Sequence, residues 1–155
     1  MKMIKKYLIY IPYAVFSIGL LSTLGSLYFS EIMKLPPCVL CWYQRVAMYP
    51  IMIIVAVAIM TKDTKRLPAY VLPFSISGLF IAIYHNLLYY NILPESAAPC
   101  INGVSCTTKF FEWFGFITIP FMSMLAFALL TGLMIIYSLS FRAKSRNLSA
   151  DRQDD

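Results

Sequence analysis

Four apolar stretches, residues 7–28, 41–60, 69–90 and 116–139, limit what this chain can fold into more than any other feature. Each is near the roughly 20 residues that a helix needs to cross a bilayer. Within hydrocarbon a segment must satisfy its own backbone hydrogen bonds, which makes each stretch a helix. With 60% of the 155 residues hydrophobic and 13% charged, the chain is expected to be an all-α membrane protein. The architecture expected is a single four-transmembrane-helix bundle over residues 1–155. The second span starts least cleanly, because Gln44 and Arg45 stand in its first turns.

The basic residues orient these spans. Lys2, Lys5 and Lys6 precede the first, Lys62, Lys65 and Arg66 fill the link between the second and third, and Arg142, Lys144, Arg146 and Arg152 follow the fourth; these are ten of the 13 lysines and arginines. The positive-inside rule places all three segments in the cytoplasm. Both termini are then cytoplasmic, and residues 29–40 and 91–115 form two loops outside a plasma membrane. The net charge of +6 is accordingly read as topology and contact with anionic lipid, and no nucleic-acid partner is expected. The lysine-rich start also resembles a signal peptide. Its apolar run is longer than usual for one, and its removal would break the charge pattern, so an uncleaved first helix is expected.

Pro36 and Pro37 end the first outer loop. Proline fixes its own φ and has no N–H to lose at the start of a helix, so a helix should open near Cys38. Pro12, Pro50, Pro73 and Pro120 fall inside spans and are read as kinks. The second outer loop holds Pro94, Pro99 and Gly103, which oppose regular structure there. The aromatic run at 110–114 suits an interfacial belt, and the polar tail 140–155 is expected to fray.

Both pairs of cysteines, Cys38 with Cys41 and Cys100 with Cys106, fall in the outer loops or at their edge. Three readings compete. Structural disulfides are common in an oxidising compartment, but the Cys38–Cys41 loop is too short to restrain much unfolded-chain entropy. The chain would then be a small membrane protein that is merely braced. A zinc site has the right number of thiolates, yet the Cys100–Cys106 spacing lacks a close ligand turn, and no metal is expected. The third reading is a dithiol relay. A disulfide requires Cα atoms about 4.4–6.8 Å apart, which a flexible loop can achieve only if both pairs share one side of the membrane. At the start of a helix, unpaired N–H groups and the macrodipole also favour a thiolate, the reactive form.

The segment Cys38-Val39-Leu40-Cys41-Trp42-Tyr43-Gln44-Arg45 resembles the CVLCxYxR signature of the DsbB family of membrane disulfide-forming proteins. The short second loop is similar to that of the Gram-positive subgroup called BdbC. Relatives that reduce vitamin K epoxide place the loop pair before the CxxC, whereas here the CxxC comes first. The resemblance covers almost the whole chain. It implies an oxidoreductase that reoxidises an extracytoplasmic thioredoxin-like thiol oxidase, similar to DsbA or BdbD, and passes the electrons to a membrane quinone. Menaquinone or ubiquinone would serve, and disulfide bonds in exported proteins would be the outcome. By this resemblance Cys41 makes a charge-transfer contact with the quinone and Cys38 is its disulfide partner. Cys100 is the sulfur attacked by the thiol oxidase, and Cys106 passes reducing equivalents to Cys38.

Two further residues enter as candidates for cofactor binding. Arg45 lies four residues after Cys41, one turn deeper on the same helix face. The matching arginine of the family implies a role in lowering a thiol pKa and bonding a quinone carbonyl, against the alternative of a snorkelling side chain. His85, the only histidine, rises roughly 24 Å from the cytoplasmic end of its span at 1.5 Å per residue. It is either adjacent to the quinone, as the resemblance implies, or a polar group buried in helix packing. Asn86 has the same two readings, with packing preferred, and no role is inferred for Gln44.

Overall fold

The computed structural model describes residues 2–94, 112–113 and 117–151, with side-chain environments for 8–94 and 118–142. Four helices dominate: α1 (Lys2–Leu27), α2 (Val39–Met60), α3 (Leu67–Tyr89) and α4 (Ile119–Asp151). Four helical segments are long and apolar enough to cross a membrane, namely Leu8–Ile32, which runs on past the end of α1, Val39–Met60, Leu67–Tyr89 and Ile119–Arg142. The expected all-α architecture of four spanning helices is what the chain adopts. The only strands among the described residues are β1 (Glu112–Trp113) and β2 (Ile117–Thr118). They form a two-residue antiparallel ladder that pairs Glu112 with Thr118 and Trp113 with Ile117.

Helix ends differ from the sequence expectation in ways the local chemistry explains. Beyond Leu27 the first helix widens into a π-helical turn, Tyr28–Ile32, closed by the Met33 N–H on the Tyr28 carbonyl at 3.1 Å. This carries it past the expected end at residue 28. Lys34 (φ 52°), Lys62 (φ 56°) and Asn91 (φ 55°) each adopt left-handed backbone just after a helix end, the conformation that turns the chain out of a helix. Pro120 was expected to kink the fourth span, but α4 opens at Ile119. Proline in a first turn forfeits no helical bond. The tail expected to fray instead continues α4 to Asp151, since alanine, lysine, arginine and leucine are good helix formers.

Short connections force α1, α2 and α3 to run antiparallel in turn, and side-chain bonds fix which ends meet. At one end the Asn86 amide Nδ2 of α3 donates to the Pro120 carbonyl at 2.9 Å, and Arg45 of α2 bonds to Ser26 of α1. At the other, the Tyr137 hydroxyl of α4 donates to Thr64 Oγ1 in the α2–α3 link at 2.8 Å. Between the two lies an apolar core of Val15, Ile51, Val55, Val71, Leu130 and Met134, all fully buried. Gly78 of α3 is part of its fit, since a Cβ there would overlap the Phe127 ring of α4. Large apolar side chains also cover the outside: Leu21 is 70% exposed and Phe80 69%. Such a surface suits lipid rather than water.

Candidate functional site

The CxxC is positioned by the residues that precede it. After Pro36 and Pro37 the chain is extended at Cys38 (φ −70°, ψ 167°), which caps α2, and the first helical turn closes with the Trp42 N–H on the Cys38 carbonyl at 3.2 Å. One turn then brings Cys41 under Cys38. Their sulfurs lie 3.2 Å apart as a dithiol and share one hydrogen bond in which either can donate. Cys38 is buried and Cys41 half-buried.

His85 reaches this pair from the last turns of α3. Its Nε2 lies 3.6 Å from the Cys38 sulfur, and its Nδ1 lies 3.5 Å from the Gln44 amide nitrogen. The Cys38 thiol is lowered from the ordinary thiol range to about 4. The largest cause is the hydrogen bond from Cys41, supported by the His85 hydrogen bond and charge and opposed by burial. Because either sulfur can donate in the shared bond, what favours negative charge on Cys38 in particular is the His85 contact, whereas the family resemblance gives the thiolate role to Cys41.

Arg45 sits one turn deeper, 8% exposed. Its Nε donates to Ser26 Oγ and its Nη2 to the Ser26 carbonyl, both at 2.9 Å, and its guanidinium carbon lies 5.5 Å from the centre of the Trp42 ring. The side chain is therefore clamped to α1 rather than snorkelling along its own helix. Both sulfurs, Arg45 and His85 line a cavity of about 320 Å³ between the helices, otherwise mostly apolar and bounded by residues such as Phe29, Met48 and Tyr89. That size is at the lower end for small-molecule sites.

Of the six candidate residues, Cys38, Cys41, Arg45 and His85 are thus brought together around one cavity. Cys100 and Cys106 lie outside the described residues. Their segment departs just beyond Leu93, which packs against the cluster of Cys38, Leu40 and Leu88, and returns through β1 and β2 to α4. The Asn86 amide nitrogen is spent on packing, donating to the Ala82 and Pro120 carbonyls. Sequence reasoning missed two contributors. Gln44 was assigned no role, yet it meets His85; a polar side chain inside a spanning helix was already the sign. Ser26 carried no comparable sign, because a lone serine in an apolar run does not reveal which helix it faces.

Four membrane-spanning helices that hold a helix-capping dithiol against an apolar cavity define a membrane protein built for thiol–disulfide chemistry. The chain belongs to the DsbB family, whose members are membrane disulfide oxidoreductases: the family model, "Disulfide bond formation protein DsbB", matches residues 8–137. It is 48% identical over 118 residues to Disulfide bond formation protein C of Bacillus subtilis (strain 168), across 76% of this chain and 85% of that protein. It is 42% identical over 118 residues to Probable disulfide formation protein C 1 of Bacillus anthracis, across 76% of this chain and 84% of that one. Probable disulfide formation protein C 2 of Bacillus cereus (strain ATCC 10987 / NRS 248) is 41% identical over 138 residues, across 89% of this chain and 96% of its own. No solved structure matches the chain.

Proposed function

We propose that this protein reoxidises a thioredoxin-like thiol oxidase outside the plasma membrane and delivers the electrons to a membrane quinone. The observation that carries the reading is the convergence of the Cys38–Cys41 dithiol, His85 and Arg45 on one cavity between spanning helices. The basic residues support the orientation. Lys62, Lys65 and Arg66 occupy the link joined to α4 by the Tyr137–Thr64 bond, at the end of the bundle opposite Cys38. By the positive-inside rule that end is cytoplasmic and the CxxC faces out.

The exchange steps balance as disulfide transfers. A thiolate of the partner attacks the Cys100–Cys106 disulfide, and the mixed disulfide resolves to an oxidised partner and a reduced loop pair. A loop thiolate, assigned to Cys106, attacks Cys38 of the Cys38–Cys41 disulfide and releases Cys41. Cys100 then attacks Cys106, restores the loop disulfide and releases Cys38. A sulfur of low pKa leaves fastest, which is what the environment of Cys38 provides. Closing the Cys38–Cys41 disulfide again releases two electrons and two protons. His85, 3.6 Å from the Cys38 sulfur, is placed to take the proton of that thiol.

A quinone supplies the two-electron, two-proton sink, and the lining fits one. The walls are mostly apolar, as a ring requires. Only two nitrogens of Arg45 are engaged by Ser26 among the described residues, which leaves further N–H groups for a carbonyl oxygen. Thr23 is also among the lining residues, and its buried hydroxyl has no hydrogen-bond partner among the described residues. Arg45 and His85 are accordingly assigned to cofactor binding. Replacing Cys41→Ser should abolish thiol-dependent quinone reduction, followed by quinone absorbance with a reduced thioredoxin-like oxidase. Wild-type rates in that variant would refute the proposal.

A further inference from the structure

Cys38, Cys41 and His85 form a second kind of site besides a redox pair. Their two sulfurs and one ring nitrogen all lie within 4.8 Å of one another, and two of the three residues are buried. A Cys₂His set is an established ligand combination for zinc, with a fourth position left for water or substrate. Zinc at about 2.3 Å from sulfur and 2.0–2.1 Å from nitrogen requires ligand separations of about 3.8 Å (S to S) and 3.6 Å (S to N) in a tetrahedron. The Cys38–His85 separation is already 3.6 Å. The sulfurs, at 3.2 Å, need to part by about half an ångström, and Cys41 and His85, within 4.8 Å of each other, need to stand about 3.6 Å apart.

The surroundings suit a divalent ion of this kind. Zn²⁺ with two thiolates and a neutral imidazole carries no net charge, so the penalty for burying a charge is largely avoided. Gln44 stands at Nδ1, the nitrogen not facing the sulfurs. Amide oxygen and nitrogen are interchangeable by a flip. With its oxygen toward Nδ1–H, Gln44 fixes the tautomer that leaves the Nε2 lone pair for the ion, the usual support of a ligating histidine. The fourth position opens on the cavity that both sulfurs line.

We propose that the reduced Cys38–Cys41 pair and His85 capture one Zn²⁺ or a similar thiophilic d¹⁰ ion, and that its capture holds the pair out of the redox cycle. Binding is a ligand exchange: whatever protons the two sulfurs and the ligating ring nitrogen still carry leave, two Zn–S bonds and one Zn–N bond form, and nothing is oxidised. The site exists only in the dithiol form, because a disulfide removes two of the three donors. The inhibitory consequence rests on the function proposed above; the binding does not.

The test uses the full chain in detergent micelles, reduced and freed of reductant without oxygen, and titrated with Zn²⁺ against a chromophoric chelator. A Cys100→Ser/Cys106→Ser variant confines binding to the CxxC. One ion per reduced chain and none per oxidised chain is expected in both proteins. His85→Ala should weaken binding at least about tenfold, and Gln44→Leu about tenfold through loss of histidine orientation. Since His85 is the only histidine, the wild-type protein provides an independent reading: Zn²⁺ should protect it from diethylpyrocarbonate in the reduced state alone. Unprotected His85, or equal affinity in folded His85→Ala, would mean that thiols alone hold the ion and would overturn the site. Zn²⁺ should also stop quinone reduction reversibly, with rescue by chelator; full activity with the site filled would overturn the inhibitory role. If the metal-free protein reduced no quinone but bound zinc with His85 protected, the proposed function would fail while the site stood.

Discussion

The two ends of the bundle are built on different rules. At the Cys38 end, Cys38, Gln44, Arg45, His85 and Asn86 are all less than a tenth exposed, and their bonds cross between helices: Cys38 and Gln44 to His85, Arg45 to Ser26, Asn86 to Pro120. Toward the Thr64 end the packing is of Ile51, Val55, Val71, Leu130 and Met134, and the buried Ser75 turns its hydroxyl back to Leu72 of its own helix. Polar groups inside a membrane are expensive and are retained where they act. The difference marks one end as the place of chemistry and leaves the remainder to hold it in register.

The largest test of this division is the reactivity of Cys38. With its thiol lowered to about 4, the thiolate persists above that pH and is lost only as pH falls through it. Alkylation of Cys38 by iodoacetamide should therefore be nearly flat from pH 9 to pH 6. An ordinary thiol with pKa near 8.5 loses more than about a hundredfold over the same range. His85→Ala removes one of the lowering contacts and should move the inflection upward. An ordinary thiol profile in the wild-type protein would mean that the polar end does not activate its cysteine.

Next in size is a core substitution outside the cavity. Leu130→Ala removes a fully buried side chain. Loss of a core leucine costs about 2–5 kcal/mol in soluble proteins. Between helices in lipid the transfer from water largely drops out and packing remains, so about 2 kcal/mol is expected, read from unfolding in mixed micelles. The pH profile of Cys38 should not move in the protein that remains folded. Arg45→Met tests the opposite end with a smaller effect. Under the proposed function the KM for quinone should rise about tenfold, which is about 1.4 kcal/mol, with unfolding changed far less; a large loss of stability instead would mark Arg45 as a brace to Ser26.

How much of this was legible beforehand differs between the same two ends. The spans could be read because hydrocarbon leaves a backbone so few options, and the CxxC because Pro37 and the spacing put both cysteines at a helix start. The sequence also placed Arg45 one turn from Cys41. It could not show that Arg45 would be turned toward Ser26, since one bond between α1 and α2 depends on helix rotation that apolar runs do not encode. For the same reason Gln44 looked idle: its partner lies 41 positions away in the chain. From the sequence His85 reads as either a cofactor contact or packing, and its distance to Cys38 adds a contact to sulfur that depth along a helix could not reveal. Pro120 lies in the first turn rather than inside the span because α4 starts three residues later than the apolar run implies.

The smallest effect is the most discriminating for the comparison. Tyr137 is 2% exposed, and its hydroxyl bonds Thr64 Oγ1 at 2.8 Å, the side-chain bond that ties α4 to the α2–α3 link. Bonds of this kind between membrane helices average about 0.6 kcal/mol, because the unfolded chain in lipid finds other partners. Thr64 is only half-buried in a link between spans, so water competes as well. Tyr137→Phe keeps the ring and its packing against Phe141 and loses only this bond. A destabilisation of about 0.6 kcal/mol is expected, with quinone reduction and Cys38 alkylation unchanged. If activity fell severalfold at that small cost in stability, the Thr64 end would be coupled to the redox site through α4, and the bundle would be working as one element rather than as a reactive end on a passive support.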